Sequence, residues 1–366
     1  MKIHIVKRED CPLKTKLLLY AGAVLLALII GSLLLAALDV NPFEYYKRMF
    51  TMGMIGNKIA YKTFENYLKV FVPLALTSVA LSLAFKMRFW NIGGEGQFIV
   101  GAIAATWVVL KTKGSMGNVS TLFLMCIAAM LSAGIFGALV AVLKVKFNTN
   151  ETLLTLMLNY IAMYALNFIG DTKADWNLFL SADSARPTFD SFTKYASFSK
   201  IQIGNFGLNI CVILTLVIGA LIYVYLKKTK QGYEIAVVGD SPGSARYAGM
   251  KVGKIVIRTV FISACLIGLA AAFKVGTAGI LSTSITDDVG WTGVVVAWLA
   301  HLNTLGIFLV SALVSMLHYG STVAAATFAK VDVNFANMLQ GIILFLVLAA
   351  EFLIRFRVVV NKKEEE

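Results

Sequence analysis

Residues 232–250, GYEIAVVGDSPGSARYAGM, form a polar island between two long apolar runs, and the island is too polar to be a membrane span itself. Its chemistry is that of a short helix with a defined start. Asp240 or Ser241 can cap it, and Pro242 suits the first helical position, where no N–H bond is lost. Gly249 can stop it. The helix between them spans about two turns. Ala245 and Ala248 give it a small face over which a partner's groove can close, while Arg246 offers a charge and Tyr247 an anchor.

The rest of the chain is strongly apolar. Of 366 residues, 58% are hydrophobic and 14% charged, a composition that a soluble domain with a polar surface does not carry. Runs long enough to span a bilayer occur near 17–38, 68–85, 119–143, 152–170, 208–226, 255–276, 304–320 and 336–355. Two shorter runs, 97–110 and 290–300, bring the expected number to ten. The expected fold is thus an all-α polytopic membrane protein, a single transmembrane domain over 1–366. The first run is read as a retained span, being longer than a signal-peptide core and lacking a small-x-small exit.

The net charge of +13 does not point to nucleic acid, since the basic residues sit at the ends of apolar runs without interleaved aromatics. With the N-terminus inside, the inner segments carry more Lys and Arg than the outer ones, which places both termini and the 227–254 loop in the cytoplasm. Segments 39–67 and 171–207 then lie outside; the second, with Trp176, Arg186 and Pro187, is expected to form a structured cap. Small residues recur every fourth position at Ala129, Ala133, Gly137, Ala141 and at Ala264, Gly268, Ala272, Gly276, two stripes suited to close helix packing.

The capped helix, preceded by TKQGYEIAVVG and followed by a span rich in small residues, resembles the cytoplasmic coupling loop of ATP-binding-cassette (ABC) import permeases. The resemblance is closest to the simple-sugar and nucleoside branch (ribose-type, basic membrane protein-associated). That branch reads Gly-aromatic-Glu, Ala-Val-Gly, Asn-Pro, Ala-Ala and Tyr-Ala-Gly-Ile. This chain departs at Asp240-Ser241, Ser244 and Met250, but keeps the cap, the proline and the small face. The resemblance implies that Gly239, Asp240, Ser241, Pro242, Ala245, Arg246, Tyr247, Ala248, Gly249 and Met250 form the contact with a cytosolic ATPase. An ordinary membrane-surface loop is the alternative.

A second informative stretch is Arg88 to Gly101, RFWNIGGEGQFIVG. Gly93, Gly94 and Gly96 are expected to break the helix where the chain re-enters the membrane, with Asn91, Glu95 and Gln97 at its edge. Glu95, placed at the cytoplasmic end, reads as a cap or a partner of Lys86 or Arg88 more than as a proton relay. Asn148 to Glu151 opens the next span with cap residues and an acidic first turn. In that span Leu156, Asn159, Tyr160, Met163 and Asn167 share one face by helical spacing, either lining a path or making a buried interhelical bond. Asp287 and Asp288 are placed outside the membrane, within reach of Lys274 if the chain folds back, with a solvated pair the preferred reading. The Gly290-Trp291-Thr292-Gly293 turn resembles the branch's Gly-Phe-x-Gly element, with Trp291 in the aromatic place. The resemblance makes Asn91, Glu95, Gln97, Asn159, Tyr160, Met163 and Trp291 candidates for the translocation path.

No Walker A pattern occurs, since Gly253-Lys254 lacks its earlier glycine and following Ser or Thr, and there is no HExxH and no Cys or His cluster. The four cysteines, Cys11, Cys126, Cys211 and Cys265, are mutually distant and read as packing residues. His4, His301 and His318 are isolated. The chain is read as a transport subunit and not an enzyme, with no cofactor of its own. ATP and Mg would be bound by the partner ATPase. A second permease, identical or paralogous, an extracytoplasmic substrate-binding protein and the bilayer are the other partners implied. Nucleoside is the first expected substrate and simple sugar the second. A stand-alone ion-coupled transporter is the reading from another class; it would need carboxylates deep in the membrane, and none falls in the middle of an apolar run.

Overall fold

In hydrocarbon a backbone must satisfy its own N–H and C=O groups, so long apolar runs become helices. In a computed structural model, which describes residues 2–7 and 12–361, the chain begins with β1 (Lys2–Lys7), α1 (Leu13–Ala37), α2 (Pro42–Thr51), α3 (Ala60–Lys86) and α4 (Gly94–Thr112). It continues through α5 (Asn118–Phe147), α6 (Glu151–Asp171), β2 (Lys200–Ile203), β3 (Phe206–Asn209), α7 (Ile210–Lys228), α8 (Lys230–Asp240) and α9 (Pro242–Tyr247). It ends with α10 (Val252–Ala278), α11 (Val289–Leu299), α12 (Thr304–Ala325), α13 (Val333–Arg355) and β4 (Phe356–Asn361). Cys11 and the tail 362–366 lie outside the described residues.

Eight helices, α1, α3, α5, α6, α7, α10, α12 and α13, are long and apolar enough to cross a membrane. They coincide with the eight long apolar runs; the expected ten are not reached. α11 has 11 residues, about 16 Å at 1.5 Å per residue, half of a ~30 Å hydrocarbon core. α4 is longer, but its first turn carries Glu95 and Gln97, and it begins among the other helices.

The chain divides into two compact units, residues up to 63 with those from 316 onward, and residues 64–315. In the first, α1 packs along α13, and Tyr45 and Met49 of α2 are buried with Leu35, Ala336 and Leu339. α2 starts where the Asn41 side chain accepts the Phe43 N–H at 3.0 Å, followed by Pro42 at its first position. Arg355 Nε donates to Glu351 at 2.5 Å, and the Tyr20 hydroxyl donates to the same carboxylate. β1 and β4 pair antiparallel, Lys2 opposite Asn361.

In the second unit α3 and α10 are the inner helices, with 83% and 67% of their apolar windows buried, as helices apolar all round should be. The two small-residue stripes face each other. A Cβ on Gly137 would fall 2.6 Å from that of Ala264, and one on Gly268 would fall 2.8 Å from that of Ala133, so only small residues allow this approach. Segment 171–207 is packed against its neighbours. Phe192 is fully buried and its N–H bonds the Gly279 carbonyl at 2.9 Å; Lys113 pairs with Asp190 at 2.8 Å; β2 and β3 form a hairpin.

Candidate functional site

The polar island folds as two helices, not one. Thr229 caps α8 by accepting the Gly232 N–H at 3.1 Å. α8 runs to Asp240, and Ser241 caps α9 by accepting the Ser244 N–H at 3.2 Å, so of the two expected caps Ser241 serves. Pro242 holds the first position of α9. Gly249 lies at φ +76, the left-handed conformation that a side chain resists; its N–H bonds Arg246 O and that of Met250 bonds Ala245 O.

The expected small face does not point outward at Ala245. That residue is fully buried in a core with Met87, Phe89, Val140, Ile235, Val238 and Ile255, and Met250 packs at its edge. Ala245 therefore sets α9 against α8 and the start of α10, in a core shared with residues of α5 and of the turn after α3. Gly239 similarly sits against the backbone of Lys86 and Met87. Every other residue of α9 is exposed, as is Ala248 just after it, and Tyr247 is 97% exposed. In a helix of six residues no periodicity distinguishes the inner alanine from the outer one.

Beside α9 lies an open cleft of about 750 Å³, walled by Met87, Phe89, Val145, Val238 and Val256 and rimmed by Arg88, Lys144, Arg246, Lys251 and Lys254. Lys144 pairs with Glu151 at 2.8 Å. Among the described residues Arg88, Arg246, Lys251 and Lys254 have no carboxylate partner. Arg246, Lys251 and Lys254 share one short stretch of sequence, whereas Arg88 comes from a distant one that nothing local joins to Arg246.

The glycine-rich stretch forms a different site. Asn91 and Gln97 exchange amide hydrogen bonds of 3.2 and 3.1 Å, with Asn91 fully buried and Gln97 1% exposed. Asn159 accepts the Gly96 N–H at 2.8 Å and donates to Ile92 O at 2.9 Å. Glu95 accepts the Gly290 N–H at 2.8 Å, with Thr286 and the Trp291 backbone beside it. A carboxylate at the first turn of α11 meets unpaired N–H groups and the positive end of the helix dipole. Of the two structural roles expected for Glu95, a cap or a partner of Lys86 or Arg88, it takes the first, on a helix 195 residues away.

The junction lies in from the helix ends. Gly94 abuts Leu81, and Gly96 abuts Asn159. Leu81 and Asn159 lie about 8 and 12 Å along their helices from Lys86 and Glu151 at 1.5 Å per residue. Glu95 therefore sits inside the helical bundle, 7% exposed, in from the ends of α3 and α6. The glycines have ordinary negative φ and serve close approach. A Cβ on Gly290 would strike the Glu95 backbone, and one on Gly96 would lie 3.0 Å from the Asn159 Cα. Asp287, placed in the sequence outside the membrane, pairs with Lys274 at 2.6 Å.

Of the path candidates, Asn91, Glu95, Gln97 and Asn159 are thus brought together, with the Trp291 backbone beside Glu95. Tyr160 and Met163 are not part of the network. The buried face of α6 is Thr155, Asn159, Ala162, Leu166 and Gly170, and Tyr160 and Met163 lie off it, 48% and 37% exposed. Trp291 is 38% exposed. Among the described residues no cluster of three metal-binding side chains occurs.

Residues 63–348 match the family of the branched-chain amino acid transport system, permease component. The chain is similar to the guanosine ABC transporter permease protein NupP of Bacillus subtilis, 28% identical over 307 residues that cover 82% of this chain and 84% of the relative. It is similar to the nucleoside ABC transporter permease protein NupB of Lactococcus lactis subsp. cremoris, 27% identical over 318 residues, 84% of each. The glucose ABC transporter permease protein TsgB13 of Haloferax volcanii is 26% identical over 344 residues, 92% of this chain and 88% of the relative.

Proposed function

The chain belongs to the permease-component family of branched-chain amino acid transport systems, a multi-pass protein of the cell membrane, and we propose that it is the nucleoside-conducting subunit of an ATP-driven ABC importer. The observation that carries this reading is the mounting of α9: Ala245 is buried against α8 and the start of α10, in a core that reaches α5 and the turn after α3, while Arg246, Tyr247 and Ala248 stand exposed beside a cationic cleft. A helix so held transmits a push from a partner into the membrane helices without bending.

In this reading 227–254 and both termini face the cytoplasm, and a separate ATPase binds ATP and Mg and closes against α9. The displacement passes along α10, whose Gly268 backbone meets that of Gly101 in α4, and from α4 to α11 through Glu95 and Gly290. The chain supplies no nucleotide site and works as one permease domain. It pairs with a second permease, a paralogue, and segments 39–67 and 171–207 receive an extracytoplasmic substrate-binding protein. Nucleoside is preferred because relatives named for guanosine and nucleosides match over most of both chains; simple sugar, after the glucose relative, is the alternative.

The test is co-purification of the ATPase, with labelled-nucleoside uptake, for the native chain against Tyr247→Ala and Ala248→Trp. Loss of ATPase and uptake together, with the permease still folded, is expected. The position of Glu95 inside the bundle keeps a second reading in play, a stand-alone ion-coupled transporter. Uptake by the purified chain driven by an ion gradient without any ATPase would select that reading over ours.

A further inference from the structure

A cavity of about 300 Å³ opens at the ends of α3, α7 and α10 remote from α8 and α9, where the β2–β3 hairpin closes over them. Three ammonium groups from three elements line it: Lys69 of α3, Lys200 of β2 and Lys274 of α10. Two have carboxylate partners. Lys200 pairs with Glu65 at 3.3 Å, and Lys274 with Asp287 at 2.6 Å. The Lys69 ammonium has a neutral one, the Asn66 amide oxygen at 2.8 Å. The group thus carries one positive charge in excess.

The same cavity is apolar on its other side, with Val72, Pro73, Val212 and Phe273 in its wall. From Val70 to Phe85 in α3 and from Thr259 to Phe273 in α10 there is no charged residue. The lysines therefore mark one edge of the apolar slab, the level at which Lys side chains reach the headgroup region. Pro73 has no N–H to give the Lys69 carbonyl, so this turn of α3 also leaves an acceptor without its helical donor.

We propose that this cavity binds the phosphate of a singly anionic phospholipid, with the oxyanion at Lys69 and the start of the acyl region along Val72, Val212 and Phe273. A phosphate offers several acceptor oxygens to converging ammonium groups, and a single negative charge cancels the excess. Free phosphate shares the oxyanion chemistry but has no apolar body for the opposite wall.

The experiment uses the full chain, purified in mild detergent and exposed to equal phosphatidylglycerol and phosphatidylcholine, with retained lipid measured by native mass spectrometry and repeated with inorganic phosphate as competitor. The native chain should retain phosphatidylglycerol about fivefold over phosphatidylcholine, the ratio expected for one basic residue at a membrane surface. Lys69→Gln should abolish the preference and Lys69→Arg keep it. Glu65→Gln, which removes a negative charge while keeping an oxygen for the Gly207 N–H, should raise it, a change that a merely structural role does not produce. Equal retention by the native chain, or an unchanged preference in Lys69→Gln, overturns the proposal. Displacement of phosphatidylglycerol by millimolar phosphate reassigns the cavity to a free anion and overturns the lipid assignment.

Discussion

The junction of α4 with α6 and α11 and the surface around α9 are both polar islands in an apolar chain, yet their polar atoms end differently. At the junction Asn91, Glu95, Gln97 and Asn159 are spent on one another and on backbone groups. Around α9, Arg88, Arg246, Lys251 and Lys254 have no carboxylate partner among the described residues and line an open cleft. Polarity in an apolar stretch thus does not by itself mark a place where something binds. Satisfied groups hold helices together, and unsatisfied charges await a partner.

The junction should be the fragile region and the surface the robust one. Gly290→Val gives the largest effect, because its new side chain meets backbone atoms of Glu95, which cannot rotate away. The expected result is loss of folded, monodisperse protein on size exclusion, and a normally folded variant would show that α11 is loosely held. Asn159→Ala comes next. It strips partners from the buried Gly96 N–H and Ile92 carbonyl, each worth about 1–3 kcal/mol when left unpaired, and should lower the thermal unfolding midpoint steeply.

Glu95→Ala should destabilise by about 1–3 kcal/mol through the uncapped α11 N–H groups, whereas Glu95→Gln keeps an acceptor and should recover most of that loss. If Gln is as damaging as Ala while uptake also stops, the negative charge itself is needed, and the junction moves from the satisfied class toward the functional one. The Asn91 and Gln97 pair makes the opposite point. Replacing one leaves the other's buried amide unpaired, while replacing both by apolar residues should cost less than the sum of the singles, a coupling that a double-mutant cycle measures.

The sequence made the outline legible because its signals were local or strictly periodic. Eight helices long enough to span follow from eight long apolar runs, the close-packing faces of α5 and α10 from two small-residue stripes, though not that they meet each other, and the start and end of α9 from Ser241, Pro242 and Gly249. What it hid depended on distant partners or on turns too short for a period. Glu95 seemed an edge residue because its partner Gly290 lies in another helix, and only the contacts with Leu81 and Asn159 reveal its depth. Tyr160 and Met163 shared a helical face with Asn159 on paper, yet the packed face is centred on Thr155, Asn159 and Ala162. Ala245 and Ala248 looked alike until α9 was set against Ile235 and Ile255.

The smallest effect on stability should come from the other side of the comparison. Tyr247 is 97% exposed, so Tyr247→Ala should change stability by no more than about 0.5 kcal/mol. The combined change of Arg246, Lys251 and Lys254 to Gln should be similarly silent, since it removes mutual repulsion and breaks no ion pair. If the cleft receives an acidic surface, both variants should lose bound ATPase in pull-down. The native complex should weaken with added salt, and the triple variant should show a shallower salt dependence, because fewer exposed charges remain to be screened. A triple variant that unfolds early would instead place those cations among the structural residues and erase the distinction from the junction. One that stays folded and binds ATPase with unchanged salt dependence would leave the attraction to the apolar wall and Tyr247, so the two variants together separate charge from contact.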